Sequence, residues 1–338
     1  MTVESMREQN GVVRVNGSVS LIDLGDGIGC LEVHTKMNSL GSEALTFLTE
    51  TFTNNSRWTE SFDGFVIAND APHFSVGANL KELLAFIEAG DSDAVAGFIA
   101  EFQAMTQAIK FCTKPVVAGV TGLCLGGGAE VALHSARIQA NVELSMGLVE
   151  SGVGLLPAGG GCKEMLLRAA DQTAAGSSES VFIPAHSLDE AFDLIARARI
   201  STSAEDAKRI HLLRQDDGFT THRESLLDDA KTAARRLIDS GYSPQVRRTV
   251  AGAGVTGFAR LEQKIHQRHD AGSISDYDMV VQKHIAKVLC GGLVTAGSLL
   301  TEGDYLRLER EAFVSLCAEP KTRDRIAHTL KTGKILQN

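Results

Sequence analysis

The stretch Leu125-Gly126-Gly127-Gly128-Ala129-Glu130, followed downstream by Met146-Gly147-Leu148-Val149-Glu150, decides how this chain is interpreted. Consecutive glycines let a backbone approach a ligand or another segment closely. A helix-prone run, 129–134, begins directly after them, so N–H groups would lie where the helix macrodipole favours a developing negative charge. One glutamate lies in the helix start and the other in a glycine-rich loop. Oxyanion donors and two carboxylates together suit acid/base chemistry beside a polarised carbonyl.

Composition narrows the classes of function. The chain has 338 residues, 43% hydrophobic and 22% charged, as expected of a globular protein with a sizeable core. Its formal net charge of −9 argues against nucleic acid and against an anionic membrane surface as partners. No apolar run is long enough to cross a bilayer, and residues 1–10 lack the apolar core of a signal peptide. We therefore expect a cytoplasmic protein.

The cysteines are scattered and predict reduced thiols. The six are Cys30, Cys112, Cys124, Cys162, Cys290 and Cys317. None forms a Cys-x-x-Cys pair, and no histidine lies at zinc-ligand spacing from them. We expect no metal site.

Strands and helices alternate in the first half of the chain. The predicted elements are a hairpin of strands 19–23 and 28–34, a helix with Leu45, Leu48 and Phe52 on one face, a strand at 65–68, a helix capped by Asp91-Ser92, and strands at 115–120 and 137–144. The small, polar segment 174–180 is predicted to be a loop or flap. This alternation indicates an α/β fold.

The character changes near Ser187, where helical stripes begin. They are Leu226, Ala230, Ala233 and Leu237, then Val281, Ile285 and Val288, then Tyr305, Leu308, Ala312 and Leu316. We therefore predict a core with the active site at 1–186 and a mainly helical region at 187–338. The helical region would serve oligomerisation and pocket closure.

Several motifs in chain order resemble the crotonase (enoyl-CoA hydratase/isomerase) superfamily. They are Phe74-Ser75-Val76-Gly77-Ala78-Asn79-Leu80-Lys81-Glu82, then Lys114-Pro115-Val116-Val117-Ala118-Gly119-Val120-Thr121-Gly122 running into the triple glycine, then Pro157-Ala158-Gly159-Gly160-Gly161. The resemblance spans roughly residues 15–240 and implies a crotonase-like core of repeated ββα units. Two more stretches, 152–157 and 308–313, resemble a subgroup in which this module is the C-terminal half of a bacterial 3-hydroxyacyl-CoA dehydrogenase. We expect no dehydrogenase half within these 338 residues.

The resemblance implies a role for each motif. The N–H groups of Ala78 and Gly127 would bind a thioester oxygen as an oxyanion hole. Glu130 would hold and activate water, and Glu150 would deliver or remove the proton at C2. Substrate contacts are implied for Ser75, Val76, Lys81, Gly126 and Pro157. Coenzyme A then arrives as part of an acyl-CoA thioester substrate, and no metal or redox cofactor is implied.

Each candidate also has a simpler interpretation. A glycine-rich turn is often only a tight turn, and a glutamate at a helix start often only pairs with the dipole. Glu150 is equally compatible with a solvated loop residue. Lys81 and Lys36 are compatible with binding the phosphates or adenosine of CoA and with plain solvated lysines. Asn79 replaces an aspartate common in the family, and we expect altered loop hydrogen bonding rather than lost chemistry.

Three other patterns point away from competing chemistries. The segment 252–257 matches the G-x-G-x-x-G dinucleotide pattern. However, 246–250 contains two arginines and predicts a poor buried strand, so we interpret the segment as a helix-to-helix linker that does not bind NAD. The sequence contains no G-x-S-x-G elbow, which argues against a serine hydrolase. We interpret His73 and His134 as structural, since no nucleophile or carboxylate lies at matching spacing.

The resemblance, together with the presence of both glutamates, therefore implies an enoyl-CoA hydratase. It would add water reversibly, with syn geometry, to a trans-2-enoyl-CoA to give a 3-hydroxyacyl-CoA in fatty-acid β-oxidation. A Δ3,Δ2-enoyl-CoA isomerase, which needs only one carboxylate, stays open as an alternative. So does a non-catalytic acyl-CoA-binding module associated with a dehydrogenase. The resemblance also implies a homotrimer or hexamer and makes a 3-hydroxyacyl-CoA dehydrogenase a candidate partner.

Overall fold

A computed structural model describes residues 1–171 and 180–338. The helices are α1 (Val3–Asn10), α2 (Ser42–Phe52), α3 (Arg57–Ser61), α4 (Leu80–Glu88), α5 (Ser92–Lys110), α6 (Gly127–His134), α7 (Gly161–Asp171), α8 (Ala185–Ala196), α9 (Ala204–Arg209), α10 (Leu226–Asp239), α11 (Gly254–Asp270), α12 (Asp276–Leu289), α13 (Glu302–Cys317) and α14 (Pro320–Thr332). The strands are β1 (Val12–Val15), β2 (Val19–Asp23), β3 (Ile28–Val33), β4 (Gly64–Ile67), β5 (Val116–Val120), β6 (Leu123–Leu125), β7 (Arg137–Asn141), β8 (Ser145–Gly147), β9 (Ser180–Phe182), β10 (Gly218–Thr220), β11 (Thr249–Ala251) and β12 (Leu299–Thr301). Short 3-10 helices cover Lys36–Asn38, Glu150–Val153 and Arg223–Ser225. The predicted flap at 174–180 lies outside the described residues, apart from Ser180.

The described chain forms two compact units. The first unit comprises Met1–Asn79, Glu101–Gly147 and Ile200–Val246. The second comprises Leu80–Ala100, Leu148–Arg199 and Arg247–Asn338. The division at 186/187 inferred from sequence character stays a prediction. Helix α10, which carries the first predicted stripe, belongs to the first unit and packs on β4, β5 and β7.

A seven-stranded sheet organises the first unit. Its strand order is β1-β2-β3-β4-β5-β7-β10. The predicted hairpin is confirmed, since β2 and β3 pair antiparallel with Leu21 opposite Leu31. From β3 onward each neighbouring pair is parallel. Parallel strands are usually covered on both faces, and accordingly every residue of β4 and β5 is buried.

The sheet and α10 form one core of the first unit. Leu227, Ala230 and Ala234 of α10 join a buried cluster with Val66 and Val117 from the central strands. The two alanines face the sheet because small side chains let a helix approach it closely. This explains why a stripe rich in alanine, predicted at 226–237, packs against strands.

The crossovers to the site follow a ββα pattern. In β5–β6–α6 the first strand joins the large sheet, and β6 leaves it to pair in parallel with β8. The next strand pair, β7 and β8, divides in the same way between the two sheets. The α/β class predicted from the sequence is confirmed. These crossovers place the triple glycine at the point where β6 turns into α6.

The second unit is mainly helical. A small sheet of order β12-β11-β9 accompanies its helices. Capping boxes start α12 at Ser275 and α13 at Thr301, where each hydroxyl accepts from the backbone N–H three residues on. The last two predicted stripes, at 281–288 and 305–316, lie on α12 and α13.

The cysteines are as predicted. All six are free and buried. Burial raises the pKa of the Cys112 thiol to about 11, although hydrogen bonding and charge from Lys114 lower it somewhat. Such thiols stay protonated at neutral pH and are poor nucleophiles.

Within residues 1–171 and 180–338, no helix is both long enough and apolar enough to span a membrane.

Candidate active site

The loop that leads to Ala78 is fastened along β6. The Ser75 N–H donates to Leu123 O at 3.2 Å, and the Leu125 N–H donates back to Ser75 O at 2.9 Å. The Ser75 hydroxyl donates to Asn38 O at 2.7 Å and accepts the Gly77 N–H at 3.1 Å. Ser75 is 3% exposed, and its buried hydroxyl stabilises the loop through these two hydrogen bonds. Its predicted contact with substrate stays a prediction.

Glycine is required where this loop meets the start of α6. Gly77 has φ of 100°, and a Cβ there would lie 2.8 Å from the Gly127 nitrogen and 2.9 Å from Leu125 O. A Cβ at Gly128 would lie 2.7 Å from the Ser75 Cβ. Gly126 has φ of 53° and ψ of −127°, a conformation reserved for glycine. The triple glycine is therefore a close approach of two backbones and not merely a tight turn.

This approach brings the two predicted oxyanion donors together. A Cβ built on Gly127 would lie 3.1 Å from the Ala78 nitrogen. Among the residues that the structure describes, neither the Ala78 nor the Gly127 N–H donates a hydrogen bond to the protein. Gly127 is also the first residue of α6, where the macrodipole adds positive potential. Two neighbouring backbone donors with this character suit a developing oxyanion.

Glu130 lies one turn into α6, in the same unit. Its backbone N–H donates to Gly126 O at 3.0 Å, and its side chain is only 3% exposed. Arg214 fixes the far end of the helix by donating to Leu133 O and Ser135 O, at 3.3 and 3.1 Å. Arg214 therefore restrains the helix that carries Glu130.

The two histidines near these loops make structural hydrogen bonds. His73 Nδ1 accepts the Leu123 N–H at 3.2 Å, which supports the loop beside β6. His134 is fully buried, and its Nδ1 lies 2.7 Å from Glu130 O one turn earlier on α6. Both observations agree with the structural interpretation from sequence.

Glu150 begins the 3-10 helix Glu150–Val153 of the second unit. The residue is half-buried. The turn closes on Gly154, which is left-handed with φ of 80°, and the Leu155 N–H donates to Glu150 O at 3.0 Å. The sequence predicted a glycine-rich loop at Glu150, and the structure shows a single turn of 3-10 helix there.

The motif after this turn is fixed by a residue from α13. The N–H groups of Gly160 and Lys163 donate to the two carboxylate oxygens of Glu309, each at 2.8 Å. Glu309 is fully buried and caps the start of α7, where a negative charge is favourable. The stretches 157–161 and 308–313, noticed separately in the sequence, are thus partners in one contact.

A buried ion cluster continues from this cap. Lys163 Nζ lies 2.5 Å from Glu164 Oε1 and 3.0 Å from Glu302 Oε2. Burial alone would lower the pKa of Lys163, but these two carboxylates raise it. Since each charge has a buried partner of opposite sign, the cluster fixes α7 on α13. Breaking one such partnership is costly.

The predicted site residues thus fall into two groups. Those in the first unit are Ser75, Val76, Ala78, Gly126, Gly127 and Glu130, and those in the second are Lys81, Glu150 and Pro157. Lys81 is an exposed residue of α4, and Pro157 is buried. The structure places the two predicted oxyanion donors and Glu130 in the same unit. The roles of all nine residues stay predictions.

Segment 252–257 is not the predicted helix-to-helix linker. A strand, β11, does precede it, and Val250 is buried, so the segment joins a strand to α11 and not two helices. The two arginines that argued against a strand, Arg247 and Arg248, lie before it.

The same segment nevertheless lacks free phosphate-binding amides at its centre. The Gly254 N–H donates to Cys290 O at 2.8 Å, and the Val255 N–H donates to Val294 O at 2.9 Å. A Cβ at Gly254 would lie 2.2 Å from Val294 O. These glycines therefore accommodate the neighbouring loop at 290–298, which uses the N–H groups that would otherwise face a pyrophosphate.

Sequence reasoning missed residues that support the site. Asn38 adopts a left-handed conformation with φ of 53°, and its amide donates to His73 O at 2.9 Å. Asparagine tolerates this conformation better than most residues, which was the available signal. Phe102 of α5 lies against Gly127, and a Cβ there would meet its ring at 2.5 Å. Its place in an ordinary apolar stripe gave no such signal.

Comparison with known proteins agrees with the predicted family and fold. Residues 26–178 match the family described as enoyl-CoA hydratase/isomerase. A protein of Bacillus subtilis named as a 3-hydroxyacyl-CoA dehydrogenase is 38% identical over 336 residues, which is 99% of this chain and 41% of that protein. A fatty acid oxidation complex trifunctional enzyme of Rickettsia felis is 33% identical over 96% of this chain and 40% of its own length. The chain thus spans about two fifths of the length of these relatives.

A solved structure shows the same fold. The enoyl-CoA hydratase of Bacillus halodurans superimposes with a TM-score of 0.60 at 17% identity, covering 92% of this chain and all of that one. The fold and the glycine-built loops define an α/β protein of crotonase type. The chain carries a domain of the enoyl-CoA hydratase/isomerase, or crotonase, family.

Proposed function

We propose that this chain is an enoyl-CoA hydratase. It adds water with syn geometry to a trans-2-enoyl-CoA and gives a 3-hydroxyacyl-CoA. The observation that carries the proposal is the pair of backbone N–H groups at Ala78 and Gly127, held side by side with Glu130 one turn further along α6. Such donors stabilise the enolate-like charge on a thioester oxygen, and removing one typically costs about 10²–10³-fold in rate.

The two carboxylates divide the proton chemistry. In the proposal Glu130 holds the water that attacks C3 and takes its proton, and Glu150 delivers the proton to C2. The reverse reaction uses the same groups in the opposite sense. Coenzyme A enters as part of the substrate, with Lys81, Val76, Gly126 and Pro157 among its contacts. The resemblance to the family and the burial of Glu130 support this assignment.

A Δ3,Δ2-enoyl-CoA isomerase is the second candidate. The matched family is described by both activities. Isomerisation moves one proton between C4 and C2 and needs one base, whereas hydration needs a second group to hold water. The presence of Glu130 on an anchored helix favours hydration. A non-catalytic acyl-CoA-binding module has no need for either carboxylate.

The relatives suggest a larger context. They are named as a 3-hydroxyacyl-CoA dehydrogenase and a trifunctional enzyme, and this chain spans only part of each. We propose that the 3-hydroxyacyl-CoA product passes to such a dehydrogenase, covalently joined or associated, in fatty-acid β-oxidation. A cytoplasmic homotrimer or hexamer is the assembly we expect. Light scattering on the purified chain tests the oligomeric state.

Product analysis tests the proposed reaction. Crotonyl-CoA and trans-2-hexenoyl-CoA should lose their enoyl-thioester absorbance, and chromatography should resolve 3-hydroxyacyl-CoA. Trans-3-hexenoyl-CoA serves as the isomerase substrate. If the chain converts only the 3-enoyl substrate, the isomerase is correct. If it binds both substrates without turnover, the binding module is correct.

A further inference from the structure

The turn that carries Glu150 cannot hold itself in place. It is one turn of 3-10 helix, Glu150–Val153, closed by the left-handed Gly154. Such helices are short because their hydrogen-bond geometry is poor. The direction of the Glu150 side chain therefore depends on what surrounds the turn. The following contacts all lie within the second unit.

A chain of two hydroxyl groups ends on this turn. Thr322 Oγ1, on α14, donates to Gly154 O at 2.8 Å. Tyr277 Oη, on α12, lies 2.5 Å from the same Thr322 oxygen. Thr322 has one hydroxyl proton, which Gly154 O accepts, so Tyr277 must be the donor to Thr322. Tyr277 is 4% exposed and Thr322 is fully buried.

Other contacts fasten the turn from two more sides. The Ser151 hydroxyl donates to Ile195 O of α8 at 2.8 Å. Ile335, which follows α14, packs on Gly152, where an added Cβ would lie 2.9 Å from its Cδ1. The turn is thus held between α8, α12 and α14.

Helix α14 is itself tied to α12 by an ion pair between the buried Arg325 and the half-buried Asp278. Arg325, 2% exposed, donates to Asp278 Oδ1 at 2.8 Å, and its Nε donates to the Asn338 side chain at 2.8 Å. Thr322 lies one turn earlier on the same helix. Its hydroxyl therefore approaches the Glu150 turn from an anchored position.

We propose that Thr322 and Tyr277 are positioning residues for the Glu150 carboxylate. The inference rests on the proposed function, because it assigns them to the step in which Glu150 moves the C2 proton. They act through Gly154 and not by touching substrate. Proton transfer needs precise geometry, and a displacement of about 1 Å can cost about 10²-fold in rate. Helices α12 and α14 would thus affect the rate of the reaction indirectly, through the position of the Glu150 turn.

The test compares Thr322→Val with Thr322→Ser in the full chain. Valine keeps the shape but removes the hydroxyl, whereas serine keeps the hydroxyl. We expect Thr322→Val to lower kcat for hydration about 10- to 100-fold with KM nearly unchanged. Thr322→Ser should recover most of that loss. Tyr277→Phe, which removes only the outer donor, should lower kcat less and guards against a valine variant that does not fold.

A stability control separates positioning from general destabilisation. Thr301→Ala removes the N-cap hydroxyl of α13 in the same unit, which should cost about 1 kcal/mol of stability. Its kcat should stay at the wild-type value. Hydrogen exchange gives a second readout, since the Gly154 and Leu155 amides, which donate to Ser151 O and Glu150 O, should exchange faster in Thr322→Val than in the control.

The outcomes distinguish this inference from the proposed function. If the wild-type chain hydrates enoyl-CoA and both Thr322→Val and Tyr277→Phe have the same kcat as the wild type, the positioning role alone is overturned. An equal fall of kcat in Thr301→Ala would also overturn it, because destabilisation would then explain the loss. A wild-type chain that hydrates no enoyl-CoA would overturn the proposed function and the positioning role together.

Discussion

The glycine-built contact between the loop 75–78 and the start of α6 is held differently from the Glu150 turn, Glu150–Val153. At the loop, Gly77, Gly127 and Gly128 allow two backbones to meet, and the donors are main-chain groups. At the turn, the hydroxyl that holds Gly154 comes from Thr322, 168 residues further along the chain. The loop depends on glycines, which have no side chain at the contact. The turn depends on side chains from segments that are distant in sequence. The first region is therefore visible in a local sequence motif, whereas the second depends on packing between distant segments.

This difference predicts how each region responds to mutation. Adding one methyl group should damage the loop, whatever the stability of the rest of the chain. The turn should be sensitive to hydroxyl groups and ion pairs on α12 and α14.

The largest effect should come from the carboxylates themselves. Glu130→Gln and Glu150→Gln should each lower hydration of crotonyl-CoA by about 10²–10⁴-fold, because neither amide can transfer the proton. Calorimetric titration with an acyl-CoA should show nearly unchanged affinity. Near-normal turnover in either variant would remove that residue from the proton chemistry.

Glu130→Ala tests whether Glu130 and Glu150 have separate roles in the proton chemistry. Hydration should be lost, because no group holds the water. Slow exchange of the C2 proton of a 3-hydroxyacyl-CoA with solvent deuterium should persist, since Glu150 can still remove that proton and the backbone donors can still stabilise the enolate. Mass spectrometry of the recovered acyl-CoA measures this exchange. A variant that still hydrates at the wild-type rate would contradict the assignment of Glu130.

Gly127→Ala tests the loop with the smallest possible change. The new Cβ would lie 2.5 Å from the Phe102 ring and 3.1 Å from the Ala78 nitrogen. The two donors must move apart, so kcat should fall about 10²–10³-fold. Gly97→Ala, in an exposed position of α5 with nothing within 4 Å, is the matched control. It should keep full activity and gain about 0.5–1 kcal/mol of stability.

Gly254→Val asks whether a glycine-rich segment always marks a ligand. Its N–H is already used by Cys290 O, and its φ of 56° is unfavourable for a branched side chain. We expect a loss of about 3 kcal/mol in chemical denaturation, from backbone strain and overpacking. Calorimetric titration of the wild type with millimolar NAD should show no binding. An NAD isotherm that disappears in the variant would show that this segment is a dinucleotide site.

The smallest effect is expected from acid on the anchor of α14. Burial alone would raise the pKa of Asp278, but hydrogen bonds from Ser275 and the charge of Arg325 together lower it. A carboxylate with a lowered pKa in the folded state stabilises above its unfolded pKa, and this contribution is lost as the pH falls below about 4. Asp278→Asn should cost about 1–3 kcal/mol at pH 7 and flatten the acid limb of the stability curve. An unchanged acid limb would show that this pair does not anchor the helix.

Much of the first unit was predictable from sequence. Residues 19–23 and 65–68 carry strand patterns that do not depend on distant contacts, and the triple glycine imposes its own geometry. The strand before Gly252 was missed because β11 has only three residues and follows two arginines.

The parts that were not predictable depend on remote partners. Glu309 looked like one charge in a helical motif, yet it caps α7 from 146 residues away. Thr322 and Tyr277 had no local signal at all. Ionisable and hydroxyl groups gain such roles only when folding removes water from around them, which no local pattern records.

Isotope incorporation tests the central claim most directly. Wild-type protein is incubated with trans-2-hexenoyl-CoA in water enriched in ¹⁸O, and the products are resolved and weighed by mass spectrometry. We predict a 3-hydroxyhexanoyl-CoA that carries one ¹⁸O atom at C3, with the label lost in both Glu130→Gln and Glu150→Gln. The hydratase would be contradicted if only unchanged 2-hexenoyl-CoA were recovered, with no labelled product, while the same protein preparation still bound this substrate or still isomerised trans-3-hexenoyl-CoA.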